Sequence, residues 1–321
     1  MASTKNPRSW AEGPMRIAIL GATSMLAADY AAFSMAQPSA VRFSLFARNA
    51  DQIKAALAYR GVTAEADCRP LDTFDSGEWD AIINFIGVGD PARAIAMGAD
   101  ILQITRYWDD RILDYLRRNT QCRYVFLSSG AALGLAAAQP SAADTTARFA
   151  INDLGPSAYY GISKFYAEAI HRASAPLSII DIRIFNYISR FADLGHRFFI
   201  NEAIASIKNS VTLHVDANNM WRDYLDISDF HGLMTACLNA PSNYNRPIDA
   251  YSRSPASKAE ILKMLQEDFG LDYRVSNGGI DATGSKSDYY SKDRTAETLG
   301  YQPRFSSIET IRTVARHILG G

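Results

Sequence analysis

A chain of 321 residues carrying 33 Lys and Arg against 34 Asp and Glu has a formal net charge of -1, with 48% of its residues apolar. That balance leaves ample material for a core but no basic footprint for nucleic acid and no acidic disordered tail, so an anionic ligand has to be met by particular basic side chains. Cys68, Cys122 and Cys237 have neither the number nor the spacing of a disulfide framework or a zinc site, and no run of about 18 apolar residues marks a membrane span, so buried thiols, no metal and a cytoplasmic setting are expected.

Residues 1–14 mix polar side chains with one tryptophan and contain no apolar h-region, which reads as a flexible tail and not a signal peptide. The first apolar run, residues 15–20, stops at Gly21-Ala22-Thr23-Ser24-Met25-Leu26-Ala27, and Ala and Tyr then continue at helical spacing. Strand, tight turn and helix in that order suit a pyrophosphate, because the exposed amides at a helix start bind anions. An ordinary strand-to-helix turn would also look like this. Only Gly21 is a glycine in the small-x-x-small-x-x-small spacing. Ser24 either hydrogen-bonds a phosphate or shifts it by bulk, while Ala27 suits close helix packing.

Residues 41–46 form a second strand ending in Ala47-Arg48-Asn49. An acidic residue there would bind ribose hydroxyls, whereas Arg48 can pair with a 2′-phosphate, which favours NADP(H) and leaves NAD(H) open. Arg48 as a plain surface residue is the bland alternative. A short strand near residues 68–72 comes next. Residues 80–87 then read as a buried parallel strand whose end, Phe85-Ile86-Gly87 with Val88 and Gly89, walls the cofactor cleft.

Apolar residues recur at helical spacing through 91–118, predicting one long helix, and 123–127 is a fifth strand running into Ser128-Ser129-Gly130. Ligands of open parallel sheets bind at the carboxyl ends of strands, so these serines arrive at the useful edge. About thirty residues later comes Tyr160-Gly161-Ile162-Ser163-Lys164. A tyrosine four residues before a lysine shares its helix face, which makes either an acid–base pair or a stretch of surface helix. For work at neutrality the phenol pKa must fall by about three units, roughly 4 kcal/mol, and a cationic nicotinamide would assist the ammonium. Residues 177–185 are a sixth strand closed by Asn186. Beyond it, strands near 211–215 and 246–251 alternate with helices ending near 209 and spanning 229–238, 258–269 and 306–319.

The Gly21 turn, Ser128-Ser129, Tyr160 to Lys164, Arg183-Ile184-Phe185-Asn186, the Arg222-Asp223-Tyr224 segment with Asp229, and Leu299-Gly300-Tyr301-Gln302-Pro303 together resemble the extended short-chain dehydrogenase/reductases, in the branch acting on nucleotide sugars. The resemblance covers nearly the whole chain. It implies an α/β fold: a Rossmann-type doubly wound parallel sheet over 15–185 with a smaller C-terminal α/β lobe over 186–321 that binds substrate and returns to the sheet at about 226–252. It implies Tyr160 as acid or base, Ser129 hydrogen-bonded to the same substrate oxygen, and Lys164 on the nicotinamide ribose. Gly21, Thr23, Ser24, Met25, Leu26, Arg48, Phe85, Ile86 and Gly87 would contact the cofactor. Asn186 would contact the nucleotide half of the substrate, Arg222 its diphosphate and Tyr224 the nucleobase. Arg222 paired with Asp223 or Asp226 as a salt bridge is the competing reading.

Departures from the family narrow the chemistry. Its sugar dehydratases carry Asp-Glu after the catalytic Ser or Thr, where this chain has Gly130 and Ala131, and no cysteine or motif-placed histidine among His171, His196, His214, His231 and His317 suits a C3/C5 epimerase. Two oxidoreductase chemistries remain: NADPH-dependent reduction of a 4-keto nucleotide-diphosphate sugar, favoured by Arg48, and NAD-dependent 4-epimerisation. Readings of other classes are a non-catalytic NADP sensor and a reductase of a non-nucleotide carbonyl. Relatives pair through the helices matching 91–118 and 160–173, so a homodimer is expected.

Overall fold

The computed structural model describes residues 14–38, 40–88, 91–134, 139–196, 198–276 and 288–320, with Pro91 and Ala92 described as backbone only. The expected tail, apart from Pro14, and Gly89 lie outside the described residues.

In chain order the first elements are β1 (Met15–Leu20), α1 (Met25–Met35), β2 (Val41–Ala47), α2 (Ala50–Tyr59), β3 (Asp67–Pro70), β4 (Ala81–Asn84), α3 (Pro91–Met97), α4 (Asp100–Arg118), β5 (Arg123–Ser129), α5 (Pro156–Ala173) and β6 (Ile179–Ile184). They are followed by β7 (Asn186–Tyr187), α6 (Phe199–Asn209), β8 (Leu213–Asp216), β9 (Trp221–Arg222), β10 (Tyr224–Leu225), α7 (Ile227–Leu238), β11 (Asn245–Asp249), β12 (Ala256–Ser257), α8 (Lys258–Phe269), β13 (Tyr273–Ser276), β14 (Asp288–Tyr289) and α9 (Ser307–Leu319). Two compact units result. One joins the chain up to Ser128 with Leu154–Arg183 and Met234–Ile248, and the other joins Ser129–Asp153, Ile184–Leu233 and Asp249–Gly321.

The first unit is built on a seven-stranded sheet in the order β11-β6-β5-β4-β1-β2-β3. Its β1 pairs in parallel with both β2 and β4, so the order reverses beside β1 as in a doubly wound sheet. Strands covered on both faces read as continuous apolar runs, which is why Met15–Leu20 and Ala81–Asn84 lack alternation: Ile17, Ala18, Ile19, Leu20, Ile82 and Ile83 are all fully buried. Ala18, Leu20, Phe46, Ile82, Phe126, Ala167 and the apolar side of α4 form one cluster.

Two expectations need correction here. The single helix over 91–118 is two, α3 and α4, because Gly98 takes φ +54, a left-handed conformation that ends the first helix. Of the three cysteines, Cys122 and Cys237 are buried as expected but Cys68 is only partly covered, since its strand β3 lies at the sheet edge.

The second unit holds small sheets, β12-β9-β14, β10-β7 and β13-β8, around a core from Ile188, Phe199, Ile204, Tyr224, Leu262, Leu265 and Ile311. Its helices α8 and α9 start with complete capping boxes, Ser257 with Glu260 and Ser306 with Glu309, in which serine and glutamate side chains satisfy each other's backbone amides.

Candidate active site

At the end of β1 the chain turns sharply. Gly21 has φ +76, and its N–H and that of Ala22 both donate to the Phe46 carbonyl at 2.9 and 3.0 Å, tying the turn to β2. An ideal Cβ at Gly21 would fall 2.9 Å from the Ile86 nitrogen and the Phe85 carbonyl carbon, so only glycine lets the turn approach the end of β4. Ser24 caps α1, its Oγ accepting the Ala27 N–H at 3.4 Å, and the first turn of α1 carries no acidic residue. The start of α1 is thus an electrically suitable seat for pyrophosphate, with Thr23 and Met25 exposed beside it and Leu26 partly covered. Arg48 is exposed just past β2.

The wall at the end of β4 is held by a side-chain chain behind it. Asn84 Oδ1 accepts the Ile86 N–H at 2.8 Å, and its Nδ2 donates to the Tyr124 hydroxyl at 2.9 Å. That hydroxyl donates to Asp109 Oδ1 at 2.8 Å, and Asp109 faces His171 Nε2 at 2.9 Å. His171 Nδ1 meets Asp181 Oδ1 at 2.5 Å, and Arg172 donates to the other Asp181 oxygen at 2.7 Å. Burial works against a charged His171, but the Asp181 and Asp109 carboxylates on its two nitrogens outweigh it and raise its pKa to about 10. None of these roles carries a sequence motif, and sequence reasoning missed them. Tyr124, Asp109, His171 and Asp181 meet only through the fold, across separations of 15, 62 and 10 residues.

On α5, Tyr160 is partly exposed and packs with Tyr159 against Val88, Ala94 and Ile101, while Lys164 is buried. The Lys164 Nζ donates to the Leu127 carbonyl at 2.7 Å and lies 4.3 Å from the centre of the Phe126 ring and 5.8 Å from that of Tyr160. Burial lowers its pKa to about 8, against the raising pull of Asp109, Glu168 and Asp181. Gly87, at φ +152, lies beside that ammonium: an ideal Cβ there would sit 3.4 Å from the Lys164 Nζ, an ordinary contact. One turn on, Glu168 receives Arg183 through Nε at 3.0 Å and Nη2 at 2.5 Å, and Ser128 Oγ at 2.5 Å. The i, i+4, i+8 spacing of Tyr160, Lys164 and Glu168 was available in the sequence and extends the acid–base face by one residue.

In the second unit, Ser129 is buried, with Oγ accepting the Ala131 N–H at 3.2 Å and 3.1 Å from the Tyr289 hydroxyl. Asn186 Nδ2 donates to the carbonyls of Asp223 and Tyr289 at 3.2 and 3.3 Å. Arg222 is buried and donates to the Trp221 carbonyl at 3.0 Å. The two acids expected to compete for it have other partners: Asp223 accepts from Ser252 and Ser307, and Asp226 from Ser228. Tyr224 is buried in the hydrophobic cluster of this unit. Tyr289 was not among the residues expected, because no motif marks it.

The family model of the NAD dependent epimerase/dehydratase family matches residues 17–272. The chain belongs to this family. It is an extended short-chain dehydrogenase/reductase, and members of this epimerase/dehydratase family are NAD-dependent enzymes of the oxidoreductase type. Solved structures of similar fold include UDP-glucuronic acid 4-epimerase from Bacillus cereus, described in complex with UDP-glucuronic acid and NAD, at 14% identity and TM-score 0.73 over 95% of this chain and 99% of that one. UDP-N-acetylglucosamine 4-epimerase from Methanobrevibacter ruminantium M1 aligns at 11% identity and TM-score 0.76 over 96% and 99%. A dTDP-glucose 4,6-dehydratase from Bacillus anthracis, described in complex with NAD, aligns at 13% identity and TM-score 0.71 over 95% and 96%. These likenesses extend the family's fold over nearly the full length of the chain. No curated protein matches it. Among the described residues, no helix is long and apolar enough to cross a membrane, and no group of three or more His, Cys, Asp or Glu side chains could hold a metal ion.

Proposed function

We propose that this epimerase/dehydratase family member is an NAD-dependent 4-epimerase of a nucleotide-diphosphate sugar. The observation that carries the reading is Lys164, a buried ammonium on the Tyr160 face of α5 with Gly87 beside it. An ammonium without full solvation is suited to bind a ribose diol and to stabilise a nearby phenolate. Residues of the first unit fit a dinucleotide: the Gly21 turn would be filled by any Cβ, and the α1 start offers amides without an acid. The N-terminal turn of α1, with Thr23, Ser24, Met25 and Leu26, would hold the pyrophosphate, and Phe85, Ile86 and Gly87 the nicotinamide side. When bound, NAD supplies a hydride acceptor that returns the hydride within the same turnover.

Tyr160 then takes the proton from the substrate hydroxyl as that carbon is oxidised and gives it back on reduction, with Lys164 favouring the phenolate. Ser129 is proposed to hydrogen-bond the reacting oxygen. Asn186 is assigned to the nucleotide half and Tyr224 to the nucleobase, while the guanidinium of Arg222 pairs with the diphosphate, whose geometry it matches. Because Gly130 and Ala131 follow Ser129, the chain supplies no acid there for elimination, which favours epimerisation over dehydration. The similar solved structures described with NAD, one together with UDP-glucuronic acid and one with UDP, favour NAD over the NADP expected from Arg48. Exposed apolar residues Ile104 and Tyr107 on α4, and Phe165 and Tyr166 on α5, support the proposed homodimer.

A second reading, the NADPH-dependent 4-ketoreductase, rests on Arg48, exposed after β2. One experiment separates them. Purified protein is incubated with UDP-glucose, UDP-N-acetylglucosamine or UDP-glucuronic acid without added cofactor, and its bound nucleotide is identified by mass spectrometry. An epimerase carries NAD and yields the C4 epimer of one sugar over many turnovers. Bound or required NADPH with conversion only of a 4-keto sugar would replace it by the reductase, and no conversion with tight NADPH binding would favour a sensor.

A further inference from the structure

The second unit contains a buried aromatic pair beside Ser129. Phe185 and Tyr289 lie with ring centres 5.0 Å apart, both buried, together with Leu133. Tyr289 is fixed from its backbone. Strand β14 pairs in parallel with β9, putting Tyr289 in register with Arg222, and the Tyr289 carbonyl receives Asn186 Nδ2. Its hydroxyl stands 3.1 Å from Ser129 Oγ. A serine hydroxyl has one proton to donate and two lone pairs, and the Ala131 N–H already engages one lone pair. The Tyr289 contact therefore selects where the remaining capacity of Ser129 points.

The same pair closes the next position. An ideal Cβ at Gly130 would lie 2.5 and 2.7 Å from carbons of the buried Phe185 ring, closer than real Cβ atoms come, and a tight 3.0 Å from the Tyr289 hydroxyl. A carboxylate at 130 is thereby excluded by shape and not merely absent.

We propose that Tyr289 is a positioning residue for Ser129, and that the Phe185–Tyr289 pair leaves no room for an acidic side chain at position 130, so that proton transfer stays at the hydroxyl of the carbon being oxidised. The inference rests on the nucleotide-sugar reading above. A phenol that orients the serine hydroxyl acts on the rate through that hydroxyl; removing the phenol oxygen leaves a hydroxyl free to turn, with the ring still packed on Phe185.

The test is a double-mutant cycle of Tyr289→Phe and Ser129→Ala, with turnover of the UDP sugar converted by the wild type and affinity for UDP alone by calorimetry. Tyr289→Phe is expected to lower kcat about tenfold, the effect of roughly one lost hydrogen bond, with KM and UDP affinity unchanged. In the Ser129→Ala background the same change should alter kcat by less than about twofold, since the group it positions is gone. Equal losses in both backgrounds, or a loss confined to KM and UDP affinity, would overturn the role and leave the functional reading standing. A wild type that binds UDP but neither binds nor converts any UDP sugar would overturn the functional reading, and this inference with it.

Discussion

At the scale of single residues, two buried basic groups on α5 titrate in opposite senses. Lys164 has its pKa lowered from 10.5 to about 8, so below pH 8 the folded state bears a charge it would be more stable without, and the penalty fades as pH rises from 8 towards 10.5. Replacement by Met should therefore stabilise the ligand-free protein at pH 6 by up to roughly 3 kcal/mol in urea unfolding, with the gain vanishing near pH 10. The same variant should lose dinucleotide affinity, which makes Lys164 a site where function is held at the expense of stability. His171 behaves the other way. Raised to about 10, its contribution is fully present below pH 6.5 and is lost as pH rises through 10. His171→Leu leaves Asp109 and Asp181 without the cation between them and should cost about 3–5 kcal/mol at pH 6, less at pH 10. Tyr160→Phe, which removes only the phenol oxygen, is expected to cut turnover by orders of magnitude and leave NAD binding by calorimetry nearly intact; turnover close to wild type would remove the acid–base role.

At the scale of elements, the turn between β1 and α1 leaves no room for a side chain at its glycine. Gly21→Ala forces a Cβ to 2.9 Å from the backbone of β4's end in a left-handed conformation, so it should lower the unfolding free energy by about 1–3 kcal/mol and weaken NAD binding in the same titration. This turn was readable from the sequence, as were the strands of the first unit's sheet, because buried parallel strands, a terminal glycine and a following helix leave a local pattern. Helix α8 spans the residues expected of it, with the Ser257 hydroxyl capping its start and Gly270, in a left-handed backbone conformation, ending it. The division of α3 from α4 was hidden because periodicity continues across Gly98 and only its φ interrupts it. Tyr289 was hidden for a different reason. Its importance lies in a hydroxyl contact with a residue 160 positions away, and no local pattern encodes such a meeting.

At the scale of the whole molecule, a net charge of -1 means that, under the function proposed above, binding of a dianionic sugar nucleotide would fall to a few placed cations, with Arg222 proposed as the foremost. The proposed homodimer makes a prediction at this scale: light scattering should give about twice the 35.3 kDa chain mass, and Tyr166→Glu on the exposed face of α5 should shift it to monomer without loss of the folded far-UV spectrum. The clasp of Asn84 on the Ile86 amide has a further use. That N–H lies beyond the last residue of β4, where exchange with solvent deuterium would ordinarily be fast, yet it is the free end of a line of hydrogen bonds that runs through Tyr124 and Asp109 to His171. Its exchange rate is thus a natural gauge of whether the interior behind the nucleotide wall is intact, legible by NMR at one position before any ligand is added.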